Sequence, residues 1–157
     1  MNKISPPYEK LLWSIALPGF GQFLNGKYLK AVVLIALEIV INAGANLNLA
    51  IIASFQGDIE RAIREVDYQW LMFYPCVYMF GIWDAFRDAG GGQGRHDTLP
   101  FVLCAFVGTV GLIYSSSLRI FGVLLGPVWM PMLFAGLGLA VGAALRGALL
   151  RADGRTG

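Results

Sequence analysis

Glu38 is the residue of this sequence best placed to do chemistry. It sits in the middle of a long apolar run and is followed by Asn42 and Asn46 at four-residue spacing, so a helix through the run carries all three on one face. A carboxyl group placed in lipid costs ~2.5 kcal/mol or more on insertion scales, so it turns toward a bundle interior or a wet cavity. The chemistry open to such a stripe is holding a cation or passing a proton. Its plainer use is a neutral Glu38 hydrogen-bonded to another helix or to a backbone carbonyl freed at a turn.

A second polar set lies upstream in Pro18-Gly19-Phe20-Gly21-Gln22-Phe23-Leu24-Asn25-Gly26-Lys27. Gln22 and Asn25 are candidates to line a polar cavity at the inner leaflet, while Pro18, Gly19, Gly21 and Gly26 suit a tight helical turn. Irregular backbone at membrane depth survives only where protein covers it or water reaches it. The stretch matches neither phosphate-binding glycine pattern and follows no strand. Asp84 and Arg87, three residues apart, are expected to pair at the membrane interface. His96 reads as a solvated loop residue, and Cys76 and Cys104 as small apolar residues within spans. Neither a catalytic set, a metal site nor a cofactor is expected, because no nucleophile, base or ligand cluster converges.

The elements that must position these residues are membrane helices. Of 157 residues, 57% are hydrophobic and only 14% charged, and the mean hydropathy is +0.62. Water-soluble domains carry roughly 25% charged residues. The apolar residues are blocked into runs near the ~20 residues a helix needs to cross a bilayer. The sequence predicts an all-α, polytopic fold in one membrane domain. Residues 8–27 give an N-terminal helix and glycine turn, 28–46, 68–83, 101–115 and 128–150 give transmembrane helices, and 55–67 gives an amphipathic surface helix. Asp58 is placed to cap that surface helix, Pro75 to kink the helix it sits in, and Asp97 or Thr98 to cap the one that follows. Leu118 to Gly126 is expected at the interface. Gly138 and Gly142 make a GxxxG spacing that suits helix packing, within the chain or between chains.

Leu11 to Leu24 is too short for a simple crossing, at fourteen residues or ~21 Å. With this segment dipping in and returning, Lys3, Lys10, Lys27, Lys30, Arg87, Arg95, Arg146, Arg151 and Arg155 fall on one side against Arg61, Arg64 and Arg119 on the other. That excess marks the cytoplasmic side and puts both termini there. A five-span chain with its N-terminus outside is the competing arrangement. The apolar run after Lys10 faintly imitates a signal peptide, but no small-residue cleavage site follows, so an uncleaved segment is expected.

Leu17 to Lys27, together with Gly81-Ile82-Trp83-Asp84-Ala85-Phe86-Arg87, resembles the glycine-rich turn and Trp-Asp ending of small bacterial membrane proteins related to the two-transmembrane-helix (TM-two) domain family. The resemblance covers residues 8–88. It departs from that family at Gln22 and Phe23, where a His-Arg-Phe-Tyr run is usual, in the insertion 47–69, and in the further helices at the C-terminal end. It implies a compact helical domain of the bacterial cytoplasmic membrane with no established catalytic activity. The functional expectation is a structural or interaction protein of the lipid bilayer, as a homo-oligomer or an accessory subunit of a membrane protein partner, without nucleic-acid binding. The alternative is a small proton- or cation-coupled transporter or channel using Glu38.

Overall fold

In the computed structural model, residues 6–154 are described, and Lys3 and Arg155 of the charge bias lie outside them. The protein is mostly helical. In chain order the elements are α1 (Pro7–Ala16), α2 (Phe20–Leu24), α3 (Tyr28–Ala45), α4 (Leu47–Phe55), α5 (Ile59–Glu65), α6 (Tyr68–Leu71), α7 (Tyr74–Asp88), α8 (Leu99–Tyr114), β1 (Arg119–Ile120), β2 (Val123–Leu124) and α9 (Gly126–Asp153). Among the described residues two helices are long and apolar enough to cross a membrane, Tyr28–Ala45 and Gly126–Asp153.

The breaks follow from local chemistry. Pro7 opens α1, where its missing N–H would have had no helical partner. Leu17 is extended before Pro18, as the proline ring requires, and Gly19 turns the chain at φ +91°. α3 ends on Asn46 in the left-handed region, and α4 begins at once. The surface helix expected over 55–67 is divided, because Phe55 closes α4 and the chain turns at Gly57 before Asp58 caps α5 by accepting the Arg61 N–H at 3.0 Å. Its apolar face is covered rather than free: Ala62 and Val66 join Ala45, Leu47, Ala50, Ala53, Leu71 and Leu112 in a small-residue core. Pro75 does not kink a helix. It stands in the first turn of α7, after a break at Met72 and Phe73. Between α8 and α9 the chain makes a two-stranded antiparallel hairpin, Arg119 facing Leu124 and Ile120 facing Val123.

α3 runs antiparallel to α7. Lys30, near the start of α3, reaches Asp84 and Asp88 near the end of α7, while Glu38 further along α3 meets Tyr74 at the start of α7. α8 and α9 are the most closely packed pair, and glycines make the approach possible. A Cβ at Gly142 would lie 2.5 Å from Pro100 Cα, and one at Gly138 would overlap the Leu103 carbonyl oxygen. Gly108 and Gly111 of α8 face Ala135 and Phe134 of α9 in the same way. The GxxxG pair therefore serves packing within the chain and is not available as a contact face between chains.

Candidate functional site

At one end of the molecule the glycine turn is joined to α7. Gln22 is fully buried, and its Nε2 donates to the Gly81 carbonyl at 2.8 Å and to Asp84 Oδ2 at 3.1 Å. Asn25 Nδ2 donates to the Ala85 carbonyl at 2.8 Å. Gly21 sits where α1, α2 and α7 meet: a Cβ there would lie 2.6 Å from the Lys10 carbonyl and 2.7 Å from Ala85 Cβ. At Gly19 a Cβ would press on Ile35 and the Ala31 carbonyl of α3, whereas Gly26 turns in open space at φ +73°. Gln22 and Asn25 thus come together, and their hydrogen bonds tie the glycine turn to α7.

The sequence reading missed two cations here. Lys10 is 7% exposed, and its Nζ donates to the Leu24 carbonyl at 3.3 Å, meeting the carbonyl end of α2. Lys30 Nζ lies 2.7 Å from Asp84 and 2.8 Å from Asp88. Asp84 is consequently paired with Lys30 and Gln22 and not with Arg87, whose guanidinium lies 6.0 Å from the centre of the Trp83 ring. The expected Asp84–Arg87 pair fails because Lys30, on the facing helix, offers Asp84 a better-aimed donor than a neighbour on its own helix. No spacing within one segment could have shown it.

The glycine loop before α8 is fastened to the end of α9. Asp97 accepts from the Gly94 N–H at 2.8 Å and pairs with Arg146 at 2.6 Å, while Arg95 and His96 approach Asp153 at 3.0 and 3.3 Å. His96 is thus engaged, and Thr98 stands at the N-cap of α8 without a side-chain bond.

Glu38 occupies the second polar region. Its Oε1 accepts from the Tyr74 hydroxyl at 3.1 Å, and Tyr74 in turn stacks on Tyr78 with ring centres 5.4 Å apart. Its Oε2 is enclosed and has no hydrogen-bond partner among the described residues. Glu38, Asn42, Asn46 and Asn48 share a cleft of about 420 Å³ with Ile39, Ala43 and Leu49. Asn42 Nδ2 donates to Asn48 Oδ1 and Asn46 Nδ2 to the Glu65 carbonyl, both at 3.1 Å. The second of these bonds exists because the Asp67 N–H donates to the Ala45 carbonyl at 3.0 Å and the Trp70 ring packs on Gly44, which draws the end of α5 against the end of α3. Glu38, Asn42 and Asn46 thus border the same cleft. Tyr74 bonds Glu38 and Asn48 bonds Asn42, and no spacing within α3 could have found Tyr74.

Among the described residues no three His, Cys, Asp or Glu side chains gather as metal ligands. The chain matches no protein-family model, no curated protein and no solved structure.

Proposed function

We propose that this chain is a multi-pass protein of the bacterial cytoplasmic membrane, in which α3, α7, α8 and α9 cross and α1 and α2 form a re-entrant hairpin, with both termini cytoplasmic. It acts as a structural or interaction module, as a homo-oligomer or an accessory subunit, and its first half is related in design to the TM-two domain. The observation that carries this reading is the inverted distribution of polarity. Gln22, Ser14 and Ser115 are fully buried, while Leu29, Val32, Ile39, Val102, Phe106, Met132 and Leu137 are exposed. A core helix of a water-soluble protein is mostly buried, but the apolar windows of α3 and α9 are each only 22% buried. Apolar surface on that scale is unfavourable in water and costs nothing in hydrocarbon.

The charges support the four-crossing order. Lys30, Asp84, Asp88, Arg95, Asp97, Arg146 and Asp153 gather in ion pairs at one end, and Asp58, Glu60, Arg61, Arg64 and Glu65 gather at the other. The interaction reading is favoured over transport by what separates them. From Glu38 toward Lys30, the groove between α3 and α7 is lined by Val33, Leu34, Leu37, Val77 and Phe80, so about two helical turns of apolar side chains lie between the Glu38 cleft and the ion pairs.

Cysteine labelling tests the topology. Arg61→Cys and Arg95→Cys, each in a background lacking Cys76 and Cys104, are expected to react with an impermeant maleimide from opposite sides of the membrane. Labelling of both from the same side would overturn the four-crossing arrangement.

A further inference from the structure

We infer that the groove between α3 and α7 holds a phospholipid whose headgroup joins a phosphate to a primary ammonium, with the headgroup at Lys30 and Asp88 and an acyl chain along the groove. This rests on the membrane reading above and deepens it by naming what the surface recognises in the bilayer. The groove measures about 430 Å³, within the range of organic-ligand sites. Lys30 and Asp84 line its one charged end, and the rest is Val33, Leu34, Leu37, Cys76, Val77 and Phe80. Leu34 is buried beside Gly81, where the two helices touch, whereas Val33, Leu37 and Phe80 are exposed. The groove therefore opens outward along an apolar length and ends at the level of the ion pairs. One charged end and one long apolar side is the profile of a lipid rather than of a water-soluble solute.

The charged end decides the headgroup. Lys30 Nζ lies 2.7 Å from Asp84 Oδ1 and 2.8 Å from Asp88 Oδ2, which uses two of its three N–H donors. Asp84 is fully engaged, because Gln22 donates to its other oxygen. Asp88 Oδ1 has no donor among the described residues, and no second basic side chain among them pairs with either carboxylate. One donor on Lys30 and one acceptor on Asp88 are thus left over on two groups already in contact. The side chains are 46% and 22% exposed, so a headgroup reaches both from outside.

An aminophospholipid offers the complementary pair in one headgroup. Its phosphate accepts from the Lys30 ammonium, and its own ammonium donates to the Asp88 carboxylate. Two carboxylates face one ammonium here, and that excess of negative charge favours a headgroup carrying a cation over a purely anionic one. A trimethylated ammonium has no N–H to donate and fits less well.

The full chain in micelles of a non-ionic detergent is titrated with phosphatidylethanolamine, phosphatidylcholine and phosphatidylglycerol of identical acyl chains, and bound lipid is counted by native mass spectrometry. Phosphatidylethanolamine is expected to saturate at one molecule per chain. It should bind about five- to tenfold more tightly than phosphatidylcholine, between the weight of an exposed ion pair and that of a charge-assisted hydrogen bond. Asp88→Asn should abolish that preference and leave phosphatidylcholine binding unchanged. Lys30→Met should weaken both lipids, since both carry the phosphate, and so should Cys76→Trp, which fills the apolar length. Tryptophan fluorescence in liposomes of dibrominated phosphatidylcholine tests the membrane reading separately: quenching supports it, and its absence overturns both that reading and this one. Quenching together with no preference for phosphatidylethanolamine, tighter binding of phosphatidylglycerol, or lipid binding indifferent to the three substitutions would overturn this inference alone.

Discussion

Replacing Gly142 with Ala is the sharpest perturbation of the α8–α9 pair. The new methyl carbon would lie 2.5 Å from Pro100 Cα, and 2.9 Å from both Pro100 N and the Leu99 carbonyl oxygen. Carbon atoms pack at about 3.5–4.0 Å, so the helices must separate locally by about 1 Å. All three obstructing atoms are backbone and cannot rotate away. Overpacking typically costs about 1–3 kcal/mol, and the fixed backbone puts this case toward the upper end. Separation also loosens the contacts of Gly108 with Ala135 and of Gly111 with Phe134. Gly138→Ala should behave alike, since its methyl group meets Val107 Cβ at 2.9 Å as well as the Leu103 carbonyl. The double variant should cost less than the sum, because one displacement relieves both clashes. Gly136→Ala is the control: nothing lies within 4 Å of its Cβ position, and Ala gains about 0.5–1 kcal/mol over Gly inside a helix. Equilibrium unfolding in mixed micelles measures stability, and light scattering on the same samples measures association. Loss of an oligomer by Gly142→Ala at unchanged stability would refute the reasoning, since it would make the GxxxG face a contact between chains.

Gln22→Leu should destabilise by about 1–3 kcal/mol in the same unfolding assay, because it removes donors to Gly81 and Asp84 from a fully buried position; a change below about 0.5 kcal/mol, the usual size of a surface effect, would count against its role as a tie. Lys30→Met should cost about 1 kcal/mol or less, since its side chain is 46% exposed. That cost should shrink between low and high salt, and a salt-independent loss would point to packing instead. Phe121→Gly should stabilise by about 1 kcal/mol, because Phe121 holds φ +50° at the tip of the β1–β2 hairpin while fully exposed. Destabilisation on unfolding from detergent would show that this ring has a partner.

The elements were legible where local chemistry dictates them. Tyr28–Ala45 and Gly126–Asp153 follow from uninterrupted apolar runs, the break at Leu17 to Gly19 from proline and glycine, and the cap at Asp58 from its place after Gly57. The short helix α4 was hidden, because an αL residue at Asn46 lets the chain change direction without a Gly or Pro to mark it. The split of 55–67 was hidden because Phe55 and Ile59 fit one helical periodicity while belonging to two helices.

Composition and run length alone thus determined that the protein is helical and apolar, since hydropathy and backbone propensity act within a segment. They also placed Glu38, Asn42 and Asn46 on one face. The tertiary structure decided who meets whom. Lys30 displaced Arg87 as the partner of Asp84, Gln22 became a buried tie to α7, and the glycines of α9 turned inward onto α8. Tyr74 reached one oxygen of Glu38 and left the other enclosed without a hydrogen-bond partner among the described residues. Each depends on the distance between atoms of different helices, a quantity that no spacing along a single helix contains.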